Sequence, residues 1–274
     1  MTEQEKNLLT QIFRLFTQSD VDVSSGYVDR YMKIFKKPEA RMMMGAFNNM
    51  ESIHQHAYSL LLDTVGMPEV EYKAFADYEA MADKHEYIDA IKVSKGDKRS
   101  IAKALAVYSG FTEGLQLFSS FIILLNFPRF GKMKGMGQII TYSIRDESLH
   151  VEAMTKLFRE FIQENIDIWD DEFKAEIYQA CREMVTLEDR FLELVFEEGD
   201  IEGLTQSEMQ EYIRYIADRR LLQLGLKPNY DIKNNPLNWL DDVLGVEHQN
   251  FFEGRATTYM KAGMRGDVNK VSFV

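Results

Sequence analysis

Two Glu-x-x-His pairs, Glu51 with His54 and Glu147 with His150, stand 96 positions apart (51 to 147) in a chain that has only five histidines. Residues three apart on a helix project from one face, so each pair presents a carboxylate and an imidazole together. Both pairs lie in apolar surroundings, MMMGAFNNMESIHQHAYSLLL and GQIITYSIRDESLHVEAMTKLF. Two such helices can hold two metal ions. In four-helix carboxylate proteins the set is completed by one acidic residue from each of the other two helices, all pointing into the bundle.

The sequence offers both. Glu113 lies in the strongly apolar stretch AVYSGFTEGLQLFSSFIILLNF, where an unpaired carboxylate is costly to bury and a metal is one partner that offsets the cost. Asp20 follows the apolar pattern LLTQIFRLF and precedes Glu51 by 31 positions (20 to 51), about a turn plus a returning helix. His56, His85 and His248 have no carboxylate three residues before them and read as surface or supporting groups. Carboxylate and imidazole ligands without thiolate suit iron or manganese, and such a dinuclear centre with open positions activates oxygen. Tyr58 follows His54 by one helical turn, beside the ion that His54 would bind. By periodicity alone it packs in the core, whereas beside an oxygen-activating centre, with apolar Leu117 and Phe121 to shield it, its phenol can be oxidised.

Apolar residues recur at three and four spacing nearly everywhere and alternating β-branched runs are almost absent, which predicts an all-α chain. Helices are expected over 4–17, 24–36, 38–65, 69–92, 98–126, 132–164, 170–199, 205–224 and 247–262, broken by turn signals such as Gly66 before Pro68 and the segment GLKPNYDIKNNPLNW. One domain over 1–262 with a flexible tail over 263–274 fits a chain of 274 residues and 45% hydrophobic content. A net charge of -12 argues against the phosphate backbone as a partner, so no nucleic acid is expected. The longest apolar run, FSSFIILLNF, is about half of the roughly 20 residues a membrane helix needs. The start, MTEQEKNLL, lacks a basic region followed by an apolar one. With the single Cys181, these features predict a soluble protein of a reducing cytoplasm, without a membrane.

Asp20, Glu51-x-x-His54, Tyr58, Glu113 and the run RDESLH at 145–150 together resemble the class I ribonucleotide reductase small subunit. The stretches DRRLLQLGL at 218–226, NNPLNWLDD at 234–242 and FFEGRATTY at 251–259 resemble it in the same order, so the likeness covers essentially the whole chain. The resemblance implies a ferritin-like bundle with additional helices and a dinuclear site in its four-helix core. It implies that Asp20, Glu51, His54, Glu113, Glu147 and His150 bind two irons or two manganese ions, and that Tyr58 becomes a tyrosyl radical. It also implies a homodimer and transfer of that radical to a separate catalytic large subunit, which reduces ribonucleotides to deoxyribonucleotides. Asp146 matches the residue that links His54 into the transfer route, and Tyr259 the tyrosine near the tail that carries the radical onward. Members usually also carry an N-terminal tryptophan in that route, which would precede Met1 and which neither Trp169 nor Trp239 replaces. The chain is then a truncated form, a sequence with its start missing, or a small subunit with a shortened route. The competing reading is a ferroxidase or two-electron oxidase of the same superfamily, against which Tyr58 and the C-terminal motifs speak.

One expectation is independent of the resemblance. Glu113→Ala is expected to lower metal content per chain, measured by elemental analysis after reconstitution, and unchanged content would remove Glu113 from the ligand set.

Overall fold

The central element is one helix of 32 residues, Lys98–Arg129, against which the others pack. The computed structural model describes residues 1–66, 78–94, 96–241 and 243, with side chains described outside 14–25 and 65. No strand occurs among the described residues, in keeping with the all-α expectation.

The helices are α1 (Glu3–Gly26), α2 (Met32–Ile34), α3 (Pro38–Val65), α4 (Glu79–Ala90), α5 (Lys98–Leu105), α6 (Leu117–Arg129), α7 (Lys134–Glu164), α8 (Asp171–Val195) and α9 (Gln206–Gln223). Local chemistry fixes several boundaries. Pro38 opens α3, where its missing N–H costs nothing, and Gly66 closes it at φ +78°, a left-handed position that favours glycine. Asp97 and Asp170 cap α5 and α8 by accepting from backbone N–H groups, and Thr205 with Glu208 forms a reciprocal capping box on α9.

Two wider π-helical turns interrupt this regularity, Tyr27–Tyr31 after α1 and Ala106–Gln116 between α5 and α6. The expected break between residues 17 and 24 does not occur: α1 runs through the polar segment to Gly26, since no glycine or proline stops it there. Expected helix over 69–77, helix 247–262 and the tail 263–274 lie outside the described residues. The chain divides into two compact units, Met1–Leu237 and Asn238–Val274. In the second unit, helical backbone is described at 239–241.

Within the first unit, α1 packs on α3, and α7 packs on α3, α6 and the central π segment, which gives a four-helix core. On its other side the π segment meets α8 and α9. Covered all round, the central helix is buried at every position from Ile101 to Phe127 except Lys103. That explains its uniform apolarity. It is long and apolar enough to cross a membrane, yet its apolar window is wholly buried within the protein.

Helix α9 also ties down the central π segment. Arg220 of α9, buried, donates from Nε to the Gly114 carbonyl at 2.6 Å and lies 4.9 Å over the Phe118 ring. A Cβ on Gly114 would stand 2.6 Å from that Nε, so glycine is required for the approach. Asp218, two residues earlier, accepts from the backbone N–H groups of Asn229, Tyr230 and Ile232 at 2.6, 2.9 and 3.0 Å and ties down the following loop.

Elsewhere Lys84 of α4 pairs with Glu188 of α8 at 2.6 Å, with Ser119 of α6 donating to the same carboxylate. All three are essentially excluded from solvent. Removing one member of a buried pair leaves an uncompensated charge, whereas replacing both by apolar groups removes the burden. Lys84→Met is therefore expected to destabilise the fold by about 3–5 kcal/mol in urea unfolding. Lys84→Met with Glu188→Leu should recover most of the loss, and a double variant no more stable than the single would contradict this account.

Candidate metal centre

Helix α3 contributes Glu51 and His54, α7 contributes Glu147 and His150, and the central π segment contributes Glu113. All five side chains are buried. His54 Nδ1 lies 3.4 Å from Glu51 Oε2 and 3.2 Å from Glu147 Oε1. His150 Nδ1 lies 3.0 Å from Glu51 Oε1, 3.3 Å from Glu147 Oε2 and 3.9 Å from Glu113 Oε1. Glu51 and Glu147 thus each span both imidazoles, one oxygen toward each. The imidazole centroids are 6.5 Å apart.

Apart from the contact of His54 with Glu51 Oε2, this proximity is not hydrogen bonding. Glu51 Oε1, Glu113 Oε2, both Glu147 oxygens and His150 Nδ1 are buried without a hydrogen-bond partner. Leaving such groups unpaired costs on the order of 1–3 kcal/mol each, more for charged ones. Among the described residues, one ligand atom from each of Glu51, Glu113, Glu147 and His150 falls within 4.8 Å of the others. Donor atoms that converge without bonding one another are what a shared cation requires, so these residues fit a metal centre.

The electrostatics agree. Burial opposes charge on His54, yet the carboxylates of Glu147 and Glu51 beside its ring outweigh it and push its pKa up to about 11. The same opposition at His150 ends at about 10, with Glu147 and Glu51 again responsible. Burial foremost, then the charges of Glu147 and Glu51 against the pull of His150, holds the Glu113 carboxyl well above its usual range. Glu147 is buried as deeply, but its contacts with the two histidines keep it below that range. The carboxylates therefore draw positive charge into the site, and a divalent ion would displace the imidazole protons.

The ring nitrogens turned away from the cluster are also engaged. His54 Nε2 faces Asp146 Oδ2 at 3.4 Å, and Arg145 donates to Asp146 Oδ1 from Nε and Nη2 at 3.1 and 3.0 Å. A carboxylate behind an imidazole fixes the ring and raises its basicity toward a metal. His150 Nε2 faces Met50 Sδ at 3.3 Å.

Tyr58 is buried, its ring centroid 6.2 Å from that of His54, and its hydroxyl donates to Ser143 Oγ at 2.6 Å. A second phenol, not foreseen in the sequence, stands on the opposite side: Tyr27 Oη donates to Glu113 Oε1 at 2.5 Å. No local signal pointed to it, because its partner lies 86 positions away.

Asp20 falls on α1, but its side chain lies outside the described residues, as do Tyr259 and His248. His56 is exposed on α3 and His85 is half-buried on α4, and neither joins the cluster. Cys181 is a free, buried thiol whose pKa burial pushes up to about 12, a packing residue.

Residues 1–236 match the family described as ribonucleotide reductase, small chain. Proteins named probable ribonucleoside-diphosphate reductase small subunits, from Invertebrate iridescent virus 6 and Invertebrate iridescent virus 3, are 42% and 43% identical to this chain. The matches cover 99% and 97% of its length and 86% and 75% of theirs. Among solved structures, the ribonucleotide reductase R2 subunit from Clostridium botulinum superposes with a TM-score of 0.82 at 26% identity, over 89% of this chain and 78% of that one. Fold, buried centre and sequence likeness agree, and the chain belongs to the ribonucleotide reductase small-chain family.

Proposed function

We propose that Glu51, His54, Glu113, Glu147 and His150, completed by Asp20 on α1, hold two iron or two manganese ions, and that Tyr58 carries the stable radical of this small subunit. The observation that carries this reading is the double span of Glu51 and Glu147 across the two imidazoles. Carboxylates that face both imidazoles would hold two ions, with one histidine for each. Bound there, such ions supply the oxidising power that activation of oxygen yields.

The chain's own residues would receive and protect the result. The Tyr58 phenol, which would give its electron to the oxidised metal centre, is oriented by Ser143, toward which its proton points, and is shielded from water by burial. Ser143 in turn donates to the Ile139 carbonyl at 3.2 Å, so its hydroxyl is held in place. Outward, His54 Nε2 meets Asp146, which reaches Arg145 at the surface. That hydrogen-bonded line gives Asp146 the role of coupling the centre to the transfer route, with Tyr259 as the later carrier toward the catalytic large subunit.

The small subunit is also proposed to be a homodimer of the cytoplasm. On α3, Met42, Ile53 and Leu60 are 75%, 59% and 58% exposed. Their spacings of 11 and 7 repeat within a few tens of degrees on a helix, so they form one apolar stripe with Ala46 between them.

Two experiments test these assignments. Reconstitution with ferrous iron and oxygen, or with manganese and a superoxide source, should give a tyrosyl signal in electron paramagnetic resonance that Tyr58→Phe abolishes at unchanged metal content. A signal that persists in Tyr58→Phe would move the radical elsewhere, and no organic radical under either metal would favour a two-electron oxidase. Ile53→Glu with Leu60→Glu should convert the dimer to a monomer in light scattering, and a dimer that survives both changes would place the interface on another face.

A further inference from the structure

The π turn at Tyr27–Tyr31 is a local irregularity of a kind that concentrates at functional sites. It turns two phenols inward, Tyr27 and Tyr31, at 1% and 2% exposure. Both hydroxyls land on the central helix, but on different chemistry. Tyr31 Oη donates to the Ala104 carbonyl at 3.1 Å, a backbone tie. Tyr27 Oη donates to Glu113 Oε1 at 2.5 Å.

That contact makes the two oxygens of Glu113 unequal. Oε1 is held by the phenol, while Oε2 is buried and has no hydrogen-bond partner. The Tyr27 ring is itself wedged, 5.8 Å from Phe47 and 6.0 Å from His150, and Phe47 stacks 4.3 Å from His150. The phenol cannot swing without displacing this group of rings.

We infer that Tyr27 is a positioning residue for Glu113: its hydroxyl occupies Oε1 and leaves Oε2 to the metal, so that Glu113 binds the ion on the His150 side through one oxygen. The inference rests on the ligand set proposed above. If Tyr27 merely filled the core, phenylalanine would serve as well, because the two differ by one hydroxyl.

Anaerobic titration of metal-free protein with cobalt(II) separates these cases, since the intensity of the cobalt visible bands falls as coordination number rises. The parent and Tyr31→Phe should give superimposable titrations. Tyr27→Phe should show weaker bands at one of the two ions, as the freed oxygen also binds, with an affinity for that ion that differs from the parent's. Tyr27→Phe indistinguishable from the parent in both intensity and affinity would overturn the inference while leaving the ligand set standing. A parent that binds no cobalt would overturn both. Should Tyr27→Phe fail to fold by circular dichroism, a crystal structure of the cobalt-loaded parent decides. Glu113 bound through one oxygen, with Tyr27 on the other, supports the inference; Glu113 chelating through both, or Tyr27 turned away, overturns it.

Discussion

Three carboxylates, those of Glu51, Glu113 and Glu147, meet in a water-excluded core, and like charges at such distances repel strongly unless positive charge stands between them. The surrounding structure answers to that constraint. Two imidazoles, one from each of α3 and α7, face the carboxylates, and the orphaned oxygens converge where cations would lie. An apolar core that can hold such a cluster must be large and tightly covered. The central helix supplies it, enclosed by α7 on one side and by α8 and α9 on the other.

Glu113 reaches the cluster from an irregular stretch of helix. It sits on a π-helical segment of eleven residues, Ala106–Gln116, in a helix otherwise α-helical on both sides. The segment is held from outside the four-helix core. Arg220 reaches the Gly114 carbonyl beside Glu113 through a gap that only glycine leaves, and Tyr108 donates to the Ile88 carbonyl at 2.7 Å. The DRRLLQLGL stretch, remote from Glu113 in sequence, thereby contacts the backbone of the residue next to it. Asp218 of the same stretch serves the neighbouring loop.

What the sequence made legible was whatever depends on neighbours within a helical turn. Helix α3 was expected over 38–65 and runs over those residues, because Pro38 and Gly66 are unambiguous local signals. The Glu-x-x-His spacing likewise converts directly into a shared face. By contrast, nothing local announces a π turn, so Tyr27 was missed although its hydroxyl touches Glu113 across 86 positions of sequence. The Lys84–Glu188 pair spans 104 positions and could be recognised only once α4 and α8 were packed together. The run 17–24 misled for the opposite reason: its polar residues resemble a loop, and the helix continues through them because no breaker intervenes.

The buried cluster is proposed to be built around two ions rather than satisfied by protons. Calorimetric titration of metal-free protein with manganese(II) or ferrous iron, without oxygen, measures this directly. Saturation at two ions per chain, with release of protons and a rise in Tm, is the predicted result. Saturation at one ion or none, with Tm unchanged, would contradict it.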